Sequence, residues 1–377
     1  MKVNQYHFSE NRWNKELPTD DAVTLVFAFG CRKLMKHQGA LKQLGESFPN
    51  AHIIGCTTSG EITGTDILDD SVVATAIEFE RTKVDVQSIN LKDYKDLNEA
   101  AQSLANKLSV DDLKSVLILS DGQLVNGTTL VAEMTKSLPE GVLITGGLAG
   151  DKDEFNETEV WHNGDIGPGR ILACGFYGND IVVGSGSYSG WKSFGPERLI
   201  TKASGNLLYE LDGQSALALY KQYLGDYAEQ LPASALRFPL SVRNPETNET
   251  LIRTILNIDE GEQSLTFAGD VPEGSYAQLM RANIDNLIDG AQEAAQKALQ
   301  DAFANNEPEF GLLISCVGRR LVLQQETEYE LESIEEMIPK TCKLAGFYSY
   351  GEISPTQQSR KSALHNQTMT ITFFSES

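Results

Sequence analysis

No run of apolar residues in this 377-residue sequence approaches the roughly 18 that a membrane-spanning helix needs, and no Cys-x-x-Cys pair occurs anywhere in it. Cysteines stand only at 31, 56, 174, 316 and 342, an odd set without metal-ligand spacing. A disulfide framework and a structural zinc site are both unsupported. Basic residues are scarce, with 31 Lys and Arg against 53 Asp and Glu, which leaves a net charge of −22. Nucleic acid and anionic membrane surfaces are therefore poor partners, because each calls for a Lys/Arg-rich face. The first 22 residues are polar, carry charges of both signs and lack the apolar centre of a signal peptide. Together these absences predict a cytoplasmic protein.

Catalytic signatures are missing as well. There is no G-x-S-x-G elbow, no P-loop, no His-Glu-x-x-His, no zinc-deaminase pattern and no G-x-G-x-x-G. The five histidines, at 7, 37, 52, 162 and 365, show no ligand spacing. Cys56 lies in a Gly-rich loop, but His52 is four residues upstream at a strand start, so local geometry supplies no base. A hydrolase or transferase using Cys56 or paired carboxylates stands as the alternative to a binding protein.

What is present is an ordinary globular composition, 41% apolar and 22% charged, in a chain long enough for two or three domains. Buried strands are expected at 23–29, 52–54, 72–79, 116–119 and 142–145, alternating with helices to about 47, at 97–108 and at 128–138. Glycine-broken β-prone runs follow at 159–161, 171–177 and 181–188. Beyond residue 205 come a helix over 216–224 with Ser215 as N-cap and Gly225 past its end, a long helix from Ile284, a strand at 311–315 like that at 116–120, and a closing strand at 369–374. The expected architecture is an α/β domain over 1–205, a mixed sheet flanked by helices, and a smaller α+β domain over 206–377.

Two stretches repeat one layout: Gly55-Cys-Thr-Thr-Ser-Gly60-Glu61-Ile62 and Gly346-Phe-Tyr-Ser-Tyr-Gly351-Glu352-Ile353. Four residues separate the glycines, and Glu-Ile follows the second. Such a loop can present bare N–H groups and one carboxylate to a small ligand. Asp121 and Asp151 also follow strand ends, where ligands collect in α/β sheets. Gly60, Glu61, Asp121, Asp151, Tyr350, Gly351 and Glu352 are thus the candidate ligand-binding residues, with no catalytic residue and no metal ligand assigned.

Those two stretches, together with Gly146-Gly-Leu-Ala-Gly-Asp151, Ser315-Cys-Val-Gly-Arg-Arg320 and His365-Asn-Gln-Thr368, resemble the FIST proteins, which carry FIST N and FIST C domains in tandem. The motifs run in family order from about 22 to 375. The resemblance implies a non-catalytic intracellular sensory protein that binds a small ligand, amino acids among the suggestions. A stand-alone bacterial branch implies haem b, nitric oxide sensing and control of a partner histidine kinase or cyclic-di-GMP enzyme (a diguanylate cyclase or phosphodiesterase). His365 and then His162 are the axial candidates under that resemblance, with Tyr177 as a further one. The sequence carries no kinase, cyclase or DNA-binding segment, so the output is expected to pass through another protein.

Overall fold

The computed structural model describes every residue except 37, 38, 153, 155 and 305, so His37 lies outside the described residues. Within it the chain runs three times through one six-strand pattern. The first unit comprises β1 (Lys2–Ser9), β2 (Leu25–Gly30), β3 (His52–Cys56), β4 (Glu61–Thr63), β5 (Asp66–Leu68) and β6 (Val72–Glu78). The second comprises β7 (Lys83–Asn90), β8 (Leu113–Ser120), β9 (Leu143–Leu148), β10 (Val160–His162), β11 (Asp165–Gly167) and β12 (Arg170–Tyr177). The third comprises β13 (Ile181–Tyr188), β14 (Phe310–Cys316), β15 (Lys343–Ser349), β16 (Gly351–Pro355), β17 (Ser362–His365) and β18 (Met369–Glu376).

In every unit the second strand pairs parallel with the third. It pairs antiparallel with the sixth, which in turn pairs with the first. The fourth and fifth strands form a hairpin that leaves its own unit. β4 joins β15 of the third unit, β10 joins β3 of the first, and β16 joins β9 of the second. Three mixed sheets of equivalent strand order result, each completed by a neighbour's hairpin. The expected division at 205 falls between the strands Arg198–Ser204 and Leu207–Leu211, and the sheets interlace residues from both sides of it.

The second strands read as continuous apolar runs because both of their faces are covered. One face of each sheet looks inward on a shared core in which Phe27 stacks on Phe29 and Phe310, and Phe29 tilts on Phe347 with ring centroids 4.7 Å apart. Removing each such ring from water contributes about 1.5–3 kcal/mol. Helices cover the outer faces: α1 (Gly39–Ser47), α2 (Leu97–Lys107), α3 (Gly127–Ser137), α5 (Ile284–Ala302), α6 (Val317–Leu323) and α7 (Thr327–Glu335). α5 exposes an alanine stripe so flat that it lies on Gly184 and Gly186 of β13, where an added Cβ would sit 2.3 and 2.1 Å from the Ala298 and Ala294 carbonyl oxygens.

An antiparallel insert spanning 192–281 separates β13 from α5. Its helix α4 (Ala216–Leu224) begins where the sequence places it: the Ser215 hydroxyl accepts from the Ala218 N–H, and Gly225 at φ 56° ends it. Among the described residues no helix is long and apolar enough to cross a membrane.

Candidate functional site

The three third strands carry glycines at one shared position. An added Cβ at Gly55, Gly146 or Gly346 would fall 1.7, 1.9 or 1.8 Å from the carbonyl oxygen of Ala28, Ile118 or Leu313 on the neighbouring second strand. The loops that leave these glycines converge. Ser59 N donates to Tyr348 O at 2.8 Å, Tyr348 N to Gly60 O at 2.9 Å, Gly150 N to Thr57 O at 2.9 Å and Tyr350 N to Leu148 O at 3.3 Å. The two sequence motifs are thus adjoining strands of one ring of contacts: Glu61 stands opposite Phe347, and Glu352 opposite Gly147.

Both glutamates are wholly buried. Glu61 accepts from the Thr58 hydroxyl at 2.5 Å and the Ser71 hydroxyl at 2.6 Å. Glu352 accepts from the Ser349 hydroxyl at 2.6 Å, the Thr368 hydroxyl at 2.8 Å and the Thr368 N–H at 3.2 Å. Each takes one hydroxyl three residues back and a second from the start of the sixth strand, so the repeat extends to the hydrogen bonds. Burial pushes Glu61 up to about 7 and Glu352 up to about 8, against the opposing pull of those donors. The second unit places Val160 at this position, opposite Cys56, and holds no such acid.

The first and third units differ in what closes over the glutamate. In the first, Asp69 accepts both arms of the Arg320 guanidinium, at 3.0 and 2.6 Å, and Arg320 also donates to Ser59 O at 2.6 Å. Gly60, at φ +129°, leaves room for it, since a Cβ there would lie 2.4 Å from Arg320 Nη1. Lys152 reaches Asp70 at 3.1 Å. The ladder registers make Asn366 and Gln367 the counterparts of Asp69 and Asp70. Among the described residues no ion pair closes there. Asn366 is fully buried with both amide atoms unpartnered, and the buried Gln367 leaves Oε1 without a donor while its Nε2 reaches Leu236 O at 3.1 Å. Buried amides are normally satisfied, so three unclaimed atoms in one turn need an explanation.

The ends of that turn, His365 and Thr368, line a cavity of about 270 Å³ between the insert and the third unit, together with Tyr188, Glu249, Thr250 and Thr356. His365 Nε2 lies 2.9 Å from Ser354 O, which assigns the proton to Nε2 and a lone pair to Nδ1. Burial pushes the imidazole down to about 4. Burial opposes the charge on Glu249 too, but hydroxyls of Ser359 and Thr356 hold it below the usual carboxylate range, so it is ionised at the cavity wall.

Other expected residues are committed elsewhere. Asp121 accepts from the N–H groups of Gln123, Leu124 and Gly169 and from the Thr158 hydroxyl, all within 2.9 Å, and so ties together the second unit's loops. Asp151 accepts from Asn156 and Glu157 N–H and from the Tyr350 hydroxyl, which joins the second and third motif loops directly. Gly351 faces Leu148 and Leu364, where a Cβ would lie 3.0 and 2.9 Å from their side-chain carbons. Cys56 is buried in the common core, its thiol pushed well up by burial. His52 turns to His162, with Nδ1 and Nε2 3.2 Å apart, and burial pushes His162 down to about 4. Tyr177 is buried among the apolar residues of α2 and β8. None of the three axial candidates offers a free imidazole Nε2 or an accessible phenolate, since His365 Nε2 lies on Ser354 O, His162 Nε2 on His52 and Tyr177 in the apolar core, so these residues do not fit a haem as they stand.

Arg320, Ser71, Thr368, Asn366 and Glu249 also belong to these sites, though none carries a functional assignment from sequence alone. Arg320, Asn366 and Thr368 lie within quoted motifs; Ser71 and Glu249 sit in stretches without a pattern of their own.

The FIST N domain matches residues 24–214 and the FIST C domain residues 216–355. An uncharacterized protein of Methanocaldococcus jannaschii is 24% identical, over 88% of this chain and 70% of that protein. Among solved structures, a chorismatase aligns over 99% of this chain and 98% of its own at 8% identity with a TM-score of 0.36. A cyanuric acid hydrolase aligns over 100% and 99% at 8% identity with a TM-score of 0.31. The chain belongs to the FIST family, whose tandem N and C domains are sensory signal-transduction domains.

Proposed function

We propose that this protein is a non-catalytic sensor whose small polar ligand occupies the cavity bounded by Tyr188, Glu249, Thr356, His365 and Thr368. The observation that carries the reading is the contrast between equivalent turns. Asp69 is sealed by Arg320, while its counterpart Asn366 is buried with donor and acceptor unclaimed. Asn366 does not itself line the cavity, whose wall carries its neighbours His365 and Thr368; a ligand seated against them orders the buried water that supplies the missing partners. The ionised Glu249 suits an ammonium group, and the Nδ1 lone pair of His365 and the hydroxyls of Thr250 and Thr356 suit further donors and acceptors. The cavity volume fits a single small metabolite, so an amine-bearing metabolite of amino-acid size is the class proposed, bound without haem.

The cavity spans two bodies whose contact a ligand can bias. Glu249 belongs to the strand-rich insert and accepts from Thr356 of the third unit at 2.7 Å. Thr368 passes any displacement to Glu352, whose strand completes the second unit's sheet. A ligand that binds one arrangement more tightly shifts the population towards it by that difference alone. The readout then falls to a partner protein, of which a histidine kinase or a cyclic-di-GMP enzyme is the proposed kind.

The test is thermal unfolding with each of the twenty amino acids at 10 mM, on wild type and on Glu249→Gln and His365→Ala. A stabilising amino acid whose effect both variants lose supports the site. An effect retained in both moves the ligand elsewhere. Haem supplied during purification is the accompanying arm: a Soret band abolished by His365→Ala would replace the metabolite reading with a haem one.

A further inference from the structure

A larger groove adjoins the cavity just described and shares Ser187, Thr356 and Gln357 with it. Its volume is about 1760 Å³, beyond what one small ligand fills. It runs between β13 and the β16–β17 hairpin, with α3 and β9 of the second unit forming the opposite wall. In a chain of net charge −22, five cations line it: Lys114, Lys136, Lys297, Arg360 and Lys361. Its lining carboxylates are Glu140 and Asp301. Lys136 and Arg360 side chains are 75% and 82% exposed, and their pairs with Glu133 and Asp301 are long, at 3.6 and 3.4 Å. Exposed pairs of that kind exchange readily for a stronger anion. Lys297 is half-buried, its ammonium 4.3 Å from the Tyr188 ring centroid, and stands over the groove as a fixed charge.

Two strand edges border the same groove. β13 is the terminal strand of one sheet and β17 of another. Such edges carry unpaired backbone groups that an extended segment can join. Ile181 to Val183 and Ser185 to Ser187 of β13 form one wall; α5 covers one face of that strand and the shared core the other, so it is the strand's outer edge that borders the groove. The first unit's counterpart, β1, receives a short strand at its edge within the chain, with Phe8 opposite Trp13 and Ser9 opposite Arg12.

We propose that this groove docks an extended acidic segment of a partner protein, added as a strand along β13 with its carboxylates on the five cations. Backbone pairing supplies the binding mode and the alternate side chains supply the selectivity. The surface is a route by which a ligand-dependent shift of the third unit reaches a partner, but the docking itself does not depend on the ligand reading.

The experiment uses a fluorescein-labelled eight-residue peptide that alternates Glu with Thr and Val, and a control with Lys in place of Glu. Saturable binding of the acidic peptide is expected, weakened at least tenfold by the combination Lys136→Ala, Arg360→Ala and Lys361→Ala, with slowed hydrogen exchange at 181–187. The three altered side chains are at the surface, and an unchanged melting temperature checks that the variant is folded. Binding that fails to saturate, binding of the Lys peptide with equal affinity, or binding unaltered in the variant overturns the proposal. Equal competition by a single-stranded oligothymidine would reduce the groove to a general anion site and overturn strand addition too.

Discussion

Thr368 donates its hydroxyl to Glu352 at 2.8 Å, and its backbone N–H reaches the same carboxyl oxygen at 3.2 Å. The first unit holds its counterpart in Ser71 and Glu61 at 2.6 Å. Two buried glutamates nearly three hundred residues apart therefore occupy one structural position, and the repeated Gly-x4-Gly-Glu layout is the sequence trace of that position. Because both carboxyls are pushed up by burial, they hold protons at pH values where a free glutamate is ionised.

The sign of the pH dependence follows. A carboxyl raised in the folded state stabilises most fully below its unfolded value near 4.5, and the contribution fades as pH rises through the folded value, about 8 for Glu352 and about 7 for Glu61. Between pH 5 and 8 wild-type stability is expected to fall by on the order of 3 kcal/mol from Glu352. Glu352→Gln flattens that slope in urea titrations across the range. His365 and His162, pushed down to about 4, act oppositely: their contribution is present above about 6.5 and lost as pH falls through 4. An unchanged slope in Glu352→Gln would remove the neutral-carboxyl assignment.

Glycine-to-alanine changes separate close approach from ordinary turns. Gly55→Ala, Gly146→Ala and Gly346→Ala each drive a methyl into a backbone carbonyl, and all three are expected to prevent folding or to cost more than about 4 kcal/mol. Gly64→Ala, at φ +59° with open space around it, is expected to cost about 1 kcal/mol. Circular dichroism melts of the four variants make the comparison.

Arg319 tests a buried pair. It is fully buried, donates to Glu330 at 2.8 and 3.1 Å and to Leu287 O at 2.8 Å, and Glu330 also accepts from the Tyr348 hydroxyl at 2.8 Å. Arg319→Ala strands the Glu330 carboxylate and is expected to cost about 3–5 kcal/mol, whereas Arg319→Ala with Glu330→Ala recovers part of it. Chemical denaturation measures both.

Arg320 sits at the edge of the loop convergence rather than inside it. Arg320→Ala frees Asp69 and the Ser59 carbonyl. About 1–2 kcal/mol of stability is expected to go, with faster hydrogen exchange confined to 57–62 and 66–71. Exchange that is unchanged there would show the loop held without it.

Much of the fold was legible because its strands are continuous apolar runs and its helices amphipathic. α4, with Ser215 and Gly225 at its ends, is the clearest case. The likeness of 311–315 to 116–120, and of the two Gly-Glu stretches, was also visible. What stayed hidden was the exchange of hairpins between units. β4 and β16 are short segments whose partners, β15 and β9, are set by three-dimensional closure rather than by local pattern. The same limit applied to the site. Glu61 and Glu352 stand out in sequence, but a carboxylate sealed by two hydroxyls reads like one open to solvent. Asn366 carries no signal until its counterpart Asp69 is seen paired to Arg320.

The most direct test is a calorimetric titration, at pH 7, of whichever amino acid stabilises the protein most, into wild type, Asn366→Ala and Glu61→Gln. Saturable binding to wild type is expected, lost or weakened at least tenfold in Asn366→Ala and unchanged in Glu61→Gln, because only the third unit's turn is unsealed. Binding that survives Asn366→Ala but fails in Glu61→Gln, or no heat from any amino acid at saturating concentration, would contradict a ligand site at His365–Thr368.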